Sequence, residues 1–207
     1  MKKYVKLNQA NELAQIQMVE ISEGNFVVVN NLTDEQRASA GIYELTEVPM
    51  PAFDPRSHWL RERPAQFINS IATQQWQVLE LPAEQAQANF NYAKSHKREL
   101  INTWRAEANQ TYFMHAGKQI ECDALSRSDI DAVAGNIALT GDFPAGFPNA
   151  WKTLDNSYIA LPTVQSFKDM YSSMTLQGTL NFGHAQELKA ALDASTTLAA
   201  LDAVRWS

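Results

Sequence analysis

The sequence predicts an α+β fold, with a small β-rich N-terminal part over residues 1–82, a connecting helix over 83–109, and a C-terminal domain over 110–207 built from two β-hairpins packed with helices. Three observations predict it. Short apolar runs broken by Gly, Pro and Asn fill the first part. Residues 83–109 contain neither Gly nor Pro, and Phe90, Ala93, Lys97, Leu100, Ile101, Trp104 and Ala108 recur there at helical spacing. Two hairpin signatures and then sustained helical periodicity follow.

In chain order, Gln15 to Ile21 and Phe26 to Val29 are apolar runs around Ser22-Glu23-Gly24-Asn25, which reads as a hairpin. Thr33-Asp34-Glu35-Gln36 is a capping box: Thr33 accepts from the Gln36 backbone and the Gln36 side chain reaches back. Gly41 ends that helical turn, and Ile42 to Val48 alternates as a half-buried strand does. Pro49, Pro51, Pro55 and Pro64 then remove ladder donors, so 49–64 is expected to be irregular or an edge. Gln75 to Leu79 is a further strand.

Pro82 suits the first turn of the long helix, which would span about 40 Å at 1.5 Å per residue. Tyr112 to His115 and Gln119 to Asp123 flank a turn at Ala116-Gly117-Lys118. Ser126-Arg127-Ser128-Asp129 fits a capping box ahead of a stripe of Ile130, Val133, Ala134 and Ile137, and Gly141 supplies the stop. Phe143 to Pro148 reads as a loop. Trp151 to Leu154 and Tyr158 to Leu161 form the second hairpin around Asp155-Asn156-Ser157. From Pro162 the pattern is helical. One stripe is Phe167, Met170, Tyr171 and Met174, and another is Leu188, Ala191 and Leu192. Ser195 caps a last helix with Leu198, Leu201 and Val204.

The 207 residues carry a net charge of -6, with 45% apolar and 19% charged residues. That balance is globular and argues against a uniformly basic nucleic-acid binder. The charge divides evenly, with 8 basic and 11 acidic residues in 1–95, and 9 and 12 in 96–207. No run of about 18 apolar residues occurs, so no membrane span is expected. Two lysines follow Met1, but the next stretch is polar where an export signal would be apolar, which predicts use without Sec export. A single cysteine, Cys122, permits no intrachain disulfide.

Each residue set that might carry chemistry has a plainer structural reading. His115, Cys122 and Asp123 share one hairpin, but Cys122 falls on an apolar face with Phe113 and Ile120, and no second Cys stands at ligand spacing. His58, His96, His115 and His184 form no ligand motif, and His96 with Lys97 and Arg98 reads as a solvated helix face. No GxSxG, GxGxxG or GxxxxGK is present. Asp34, Glu35 and Asp129 fall in expected first helical turns, where their charge suits the dipole, and Asp131 neighbours them. Trp151, Asp155 and Asn156 suit a hairpin and its turn. No cofactor, no metal and no catalytic residue is predicted, and the chain is read as a binding protein and not an enzyme.

The strongest binding candidate is the cluster Arg56, His58, Trp59, Arg61 and Arg63 in the Pro-rich stretch, with Glu62 inside it. Trp and Arg are favoured at interface hot spots, so Trp59, Arg61 and Arg63 are the predicted protein-binding residues. Plain packing and a stacked base or sugar are the competing readings.

From about Lys97 onward, one order of residues stands out: Arg105…Glu107, Tyr112…Gly117…Ile120, Asp123…Ser126, Trp151-Lys152 with Asp155-Asn156, Leu161-Pro162-Thr163 and Phe182…Leu188-Lys189-Ala190. It resembles an uncharacterised domain family at the C-terminal end of tail-associated proteins of tailed bacteriophages and prophages. The segment Leu32 to Arg37, Gly41-Ile42-Tyr43, then a Pro-rich stretch and Gln75-Trp76-Gln77-Val78, looks like the segments that commonly precede it. The resemblance implies a tail-fibre assembly chaperone or accessory tail-fibre protein. The alternative is a structural virion subunit of the baseplate or fibre-attachment region. The implied partner is a phage tail fibre or another tail protein, with no nucleic acid or membrane, and a homo-oligomer remains compatible. The implied location is the virion tail, or the host cytoplasm during assembly. No catalytic site comes with it.

Overall fold

A computed structural model describes residues 2–8 and 12–206. The chain is α+β and divides into two compact units, Met1–Asn89 and Phe90–Ser207, with the division falling inside one long helix.

Among its described residues the first unit contains seven strands: β1 (Tyr4–Leu7), β2 (Leu13–Ile16), β3 (Met18–Ser22), β4 (Asn25–Val28), β5 (Ile42–Glu44), β6 (His58–Ile68) and β7 (Ile71–Glu80). Five of them form an antiparallel sheet in the order β5-β1-β2-β6-β7. Just past β5 the chain crosses to the far edge. Thr46 donates to the Ala72 carbonyl at 2.8 Å and accepts from the Gln74 backbone at 2.9 Å, making a parallel bridge to Thr73. The sheet therefore closes on itself as a small barrel. Val5, Leu13, Leu45 and Ala72 are buried in one cluster, with Ala65 packed against it.

Tyr4, one residue from Val5, points to the opposite face of β1. It joins Val29, Leu32 and Ile42 in a second cluster, covered by Val19 and Val27 of the β3–β4 hairpin. α1 (Asp34–Ser39) starts with the expected capping box: Thr33 Oγ1 accepts from Gln36 N at 3.2 Å, and Gln36 Oε1 accepts from Thr33 N at 2.8 Å. Asp34 and Glu35 lie in its first turn. Arg37 donates to the Leu32 and Val29 carbonyls, pairs with Asp34 and sits over the Tyr4 ring, tying the helix to the barrel wall.

Two expectations need correction here, those for the strands over 15–21 and 42–48, and two further strands depend on remote pairing. The polar-looking start contains β1, a central strand whose pairing with β5 spans some forty residues. Gln15 to Ile21 is not one strand, because the chain bends at Gln17 and passes from barrel strand β2 to hairpin strand β3. The strand expected over 42–48 ends at Glu44, the rest making the isolated bridge at Thr46. Of the stretch expected to be irregular or an edge, 49–57 is irregular, and 58–64 belongs to the 11-residue strand β6, whose His58–Arg63 part pairs on one side only among the described residues. Pro64 is accommodated because the ladder slips by one residue between Arg63 and Gln66, so its missing N–H falls at a bulge.

The second unit holds most of α2 (Ala83–Asn109), hairpin strands β8 (Tyr112–His115) and β9 (Lys118–Glu121), α3 (Ala124–Thr140), hairpin strands β10 (Ala150–Lys152) and β11 (Tyr158–Ala160), α4 (Val164–Ala194) and α5 (Leu198–Ala203). The β8–β9 turn has φ of 48° at Ala116 and 75° at Gly117, both in the left-handed region that a two-residue hairpin loop needs. Phe113 faces Ile120 across the ladder, and both are buried with Cys122, Ile130, Ile159, Leu161, Phe167, Met170 and Met174. A second cluster joins Ile101 of α2 to Ala185, Leu192, Leu201 and Val204.

Two caps differ from expectation. The α3 N-cap is Asp123, whose side chain accepts from Ser126 N at 2.7 Å, so Ser126 lies inside the helix and Asp129 is past its first turn. α5 is capped by Thr197, while Ser195 closes α4. In each case two cap-type residues stood close together, and the apolar periodicity behind them did not choose. Gly141 ends α3 in the left-handed conformation at φ 81°, as expected.

Candidate functional site

β6 alternates its side chains, so Trp59, Arg61 and Arg63 stand on one face, opposite Leu79, Gln77 and Gln75 of β7. All three are exposed, Trp59 at 42%. Neither Arg61 nor Arg63 has an ion-pair partner among the described residues. Past the bulge the same face continues through Gln66 to Ile68 and, across the turn, Ile71, which are 49% and 54% exposed. The surface thus joins an aromatic, two unpaired guanidinium groups and two aliphatic tips along one ribbon. Ile68 and Ile71 were not foreseen; only the register across the bulge brings them onto this face.

The ribbon is a strand of the barrel for only part of its length. β2 meets β6 at Leu13↔Ala65 alone, so His58–Arg63 pairs with β7 and with no other strand among the described residues. Leu81 N donates to Ser57 O at 2.8 Å, which fixes the phase of the ladder. Residues 57, 59, 61 and 63 turn their backbone groups toward β7, and His58, Leu60 and Glu62 turn theirs away. Beside this open edge, where β2 departs, are two notches of about 300 and 350 Å³, both lined by Glu12, Leu13, Arg63, Pro64 and Ala65.

The structure divides the rest of the sequence cluster. Arg56 grips Asp54, with Nη2 to Oδ2 at 2.8 Å and Nε to Oδ1 at 3.0 Å, and this holds the Asp54 carboxyl below its usual range. His58 Nδ1 lies 2.8 Å from Ser57 Oγ, on the opposite face from Trp59. Glu62 accepts from Gln74 Nε2 at 2.8 Å and also faces away from the two arginines. Arg56, His58 and Glu62 therefore organise the turn and the inner face.

The other sequence candidates take structural positions. Cys122 is buried and its thiol is pushed up by desolvation. His115 Nδ1 lies 2.9 Å from Ser173 Oγ. Among the described residues, no three His, Cys, Asp or Glu side chains gather as metal ligands. His96 is exposed, but its neighbours are engaged: Lys97 donates to the Val204 carbonyl at 3.3 Å and Arg98 pairs with Asp193. Asn156 occupies the left-handed region at φ 62°, which fits its turn role, and Trp151 packs beside Phe167. No described helix is long and apolar enough to cross a membrane.

Residues 92–205, more than half of the chain and nearly all of the second unit, match a family model described as a domain of unknown function (DUF4376). The chain belongs to the DUF4376 family. No curated protein and no solved structure matches it significantly. The barrel and its ribbon lie before the DUF4376 region, whereas the two hairpins, α3, α4 and α5 lie within it.

Proposed function

We propose that this DUF4376 protein is a tail-associated protein of tailed bacteriophages that binds another tail component, acting as a tail-fibre assembly chaperone or accessory fibre protein. Its role is binding and not catalysis. The observation that carries the binding reading is the half-open β6 strand, with Trp59, Arg61 and Arg63 exposed along it. Incomplete fibre trimers expose strand edges that aggregate. A free edge pairs with such a strand through main-chain hydrogen bonds, and the side chains beside it supply selectivity. Trp and Arg are the residue types that most often dominate such contacts. The tail assignment is supported by the order of residues from Lys97 onward that resembles the tail-associated family.

Co-expression with the neighbouring fibre gene tests this reading. Omitting this chain is expected to lower the yield of soluble fibre trimer, and unchanged yield refutes the chaperone role. Mass spectrometry of purified particles separates the alternative: a stoichiometric copy in each particle identifies a structural subunit of the baseplate or fibre-attachment region.

A further inference from the structure

Within the second unit, three helices converge on a cleft of about 380 Å³ that carries two arginines and no carboxylate in its lining. Arg105 and Asn109 come from the last turns of α2, Arg127 from the start of α3, and Thr175, Gly178 and Phe182 from the middle of α4. Neither guanidinium belongs to an ion pair among the described residues. Arg105 lies over the Phe182 ring, 5.7 Å from its centroid, so its plane is held by stacking. Its Nε is shut off from solvent and has no hydrogen-bond partner. A charged donor left unpaired is costly, so an acceptor beside the guanidinium is favoured.

The neighbouring groups do not supply one. Asn109 Oδ1 accepts from Asn181 Nδ2 at 2.8 Å, which orients the amide and leaves the Asn109 NH₂ as a spare donor. The Thr175 and Thr179 hydroxyls donate to the Ser172 and Thr175 carbonyls at 3.0 and 2.9 Å. The Asp131 carboxylate, one turn beyond Arg127, is engaged by Tyr171. The Arg127 side chain is held beside the Cys122 thiol, and the cleft therefore offers two guanidinium groups and an amide donor with no carboxylate in its lining.

We propose that the Arg105–Arg127 cleft binds a phosphate group, either the free ion or the phosphate of a small ester. Two guanidinium forks match a dianionic tetrahedral oxyanion in charge and in donor geometry, whereas a single carboxylate would neutralise only one. Phe182 and the bare Gly178, whose missing side chain leaves open space, give room for an organic group beside the phosphate.

Arginine Nε–H correlation spectra of the full chain test the site. Inorganic phosphate and ethyl phosphate are titrated separately, with sodium chloride at matched ionic strength as control. Arg105 and Arg127 Nε signals are expected to move saturably with phosphate and not with chloride. Response to both probes assigns an ester-accepting site, and response to inorganic phosphate alone assigns the free ion. Arg127→Lys keeps the charge but loses the fork, and is expected to weaken binding roughly tenfold, the effect of losing about one charge-assisted hydrogen bond. Signals that follow ionic strength alone, or equal affinity in Arg105→Gln and Arg127→Lys chains that melt like the parent, overturn the proposal.

Discussion

Lys118 Nζ donates to Asp155 Oδ2 at 2.8 Å, joining the β8–β9 hairpin to the turn of β10–β11. The same junction carries a backbone bond, Leu154 N to Gln119 O at 2.9 Å. Asp155 also accepts from Ser157 Oγ at 2.6 Å, Ser157 N at 3.1 Å and Thr153 Oγ1 at 2.5 Å. One carboxylate therefore fixes a five-residue turn and holds two hairpins together.

That arrangement makes the turn sensitive to acid. The Lys118 ammonium, followed by the Ser157 and Thr153 hydroxyls, holds the Asp155 carboxyl well below the ordinary range. A depressed folded-state value contributes stability above the unfolded value, near pH 4, and loses it as pH falls toward the folded value. Between about pH 5 and pH 2 the parent is expected to lose melting temperature faster than Asp155→Asn, which has no such charge to lose. Parallel melting curves measured across that range would show that Asp155 contributes nothing to folding.

Gln74 bridges the inner face of the barrel. Its Nε2 donates to Glu62 Oε1 at 2.8 Å, and its Oε1 accepts from Val48 N at 3.2 Å, while the residue itself is buried. Gln74→Ala leaves both partners unmet, and an expected loss of about 1–3 kcal/mol follows. Urea unfolding of the two chains measures it.

Gly183 sits inside α4, where an added Cβ would meet no atom within 4 Å. Helix interiors disfavour Gly relative to Ala by about 0.8–1 kcal/mol. Gly183→Ala is expected to stabilise the chain by up to about that amount, read as a higher urea midpoint at unchanged slope.

The exposed face of β6 separates binding from folding. Arg61→Glu with Arg63→Glu, or Trp59→Ala, is expected to alter stability by no more than about 0.5 kcal/mol, because these side chains are solvent-facing. Binding to the proposed tail partner is expected to weaken by about 2 kcal/mol or more. Calorimetry of the partner complex beside thermal melts of the free chain reads both. Unchanged affinity removes this face from the interface.

What the sequence made legible was local. The 83–109 helix, the Thr33 box and the Ala116-Gly117 hairpin were foreseen because each signal lies within a few residues of the structure it specifies. β1 was not foreseen, since Tyr4–Leu7 is short and its partner Ile42–Glu44 is remote. β6 was hidden by Pro64, whose compatibility with a strand depends on a bulge that only the partner strand defines. The same distinction holds for function. Trp59, Arg61 and Arg63 were visible as neighbours in sequence, though their sharing one strand face was not. Arg105 and Arg127 lie in different helices, and no pattern announces that they line one cleft.

The closed barrel also dictates an order of events during synthesis. β1 and β2 can pair as soon as they emerge, but the wall behind Val5 and Leu13 is missing until β6 and β7 arrive, and Thr46 has no ladder to lock onto before Ala72 and Gln74 exist. A nascent chain with only about its first 50 residues outside the ribosome therefore presents an oily half-shell, and capture by cellular chaperones is expected to be greatest at that stage.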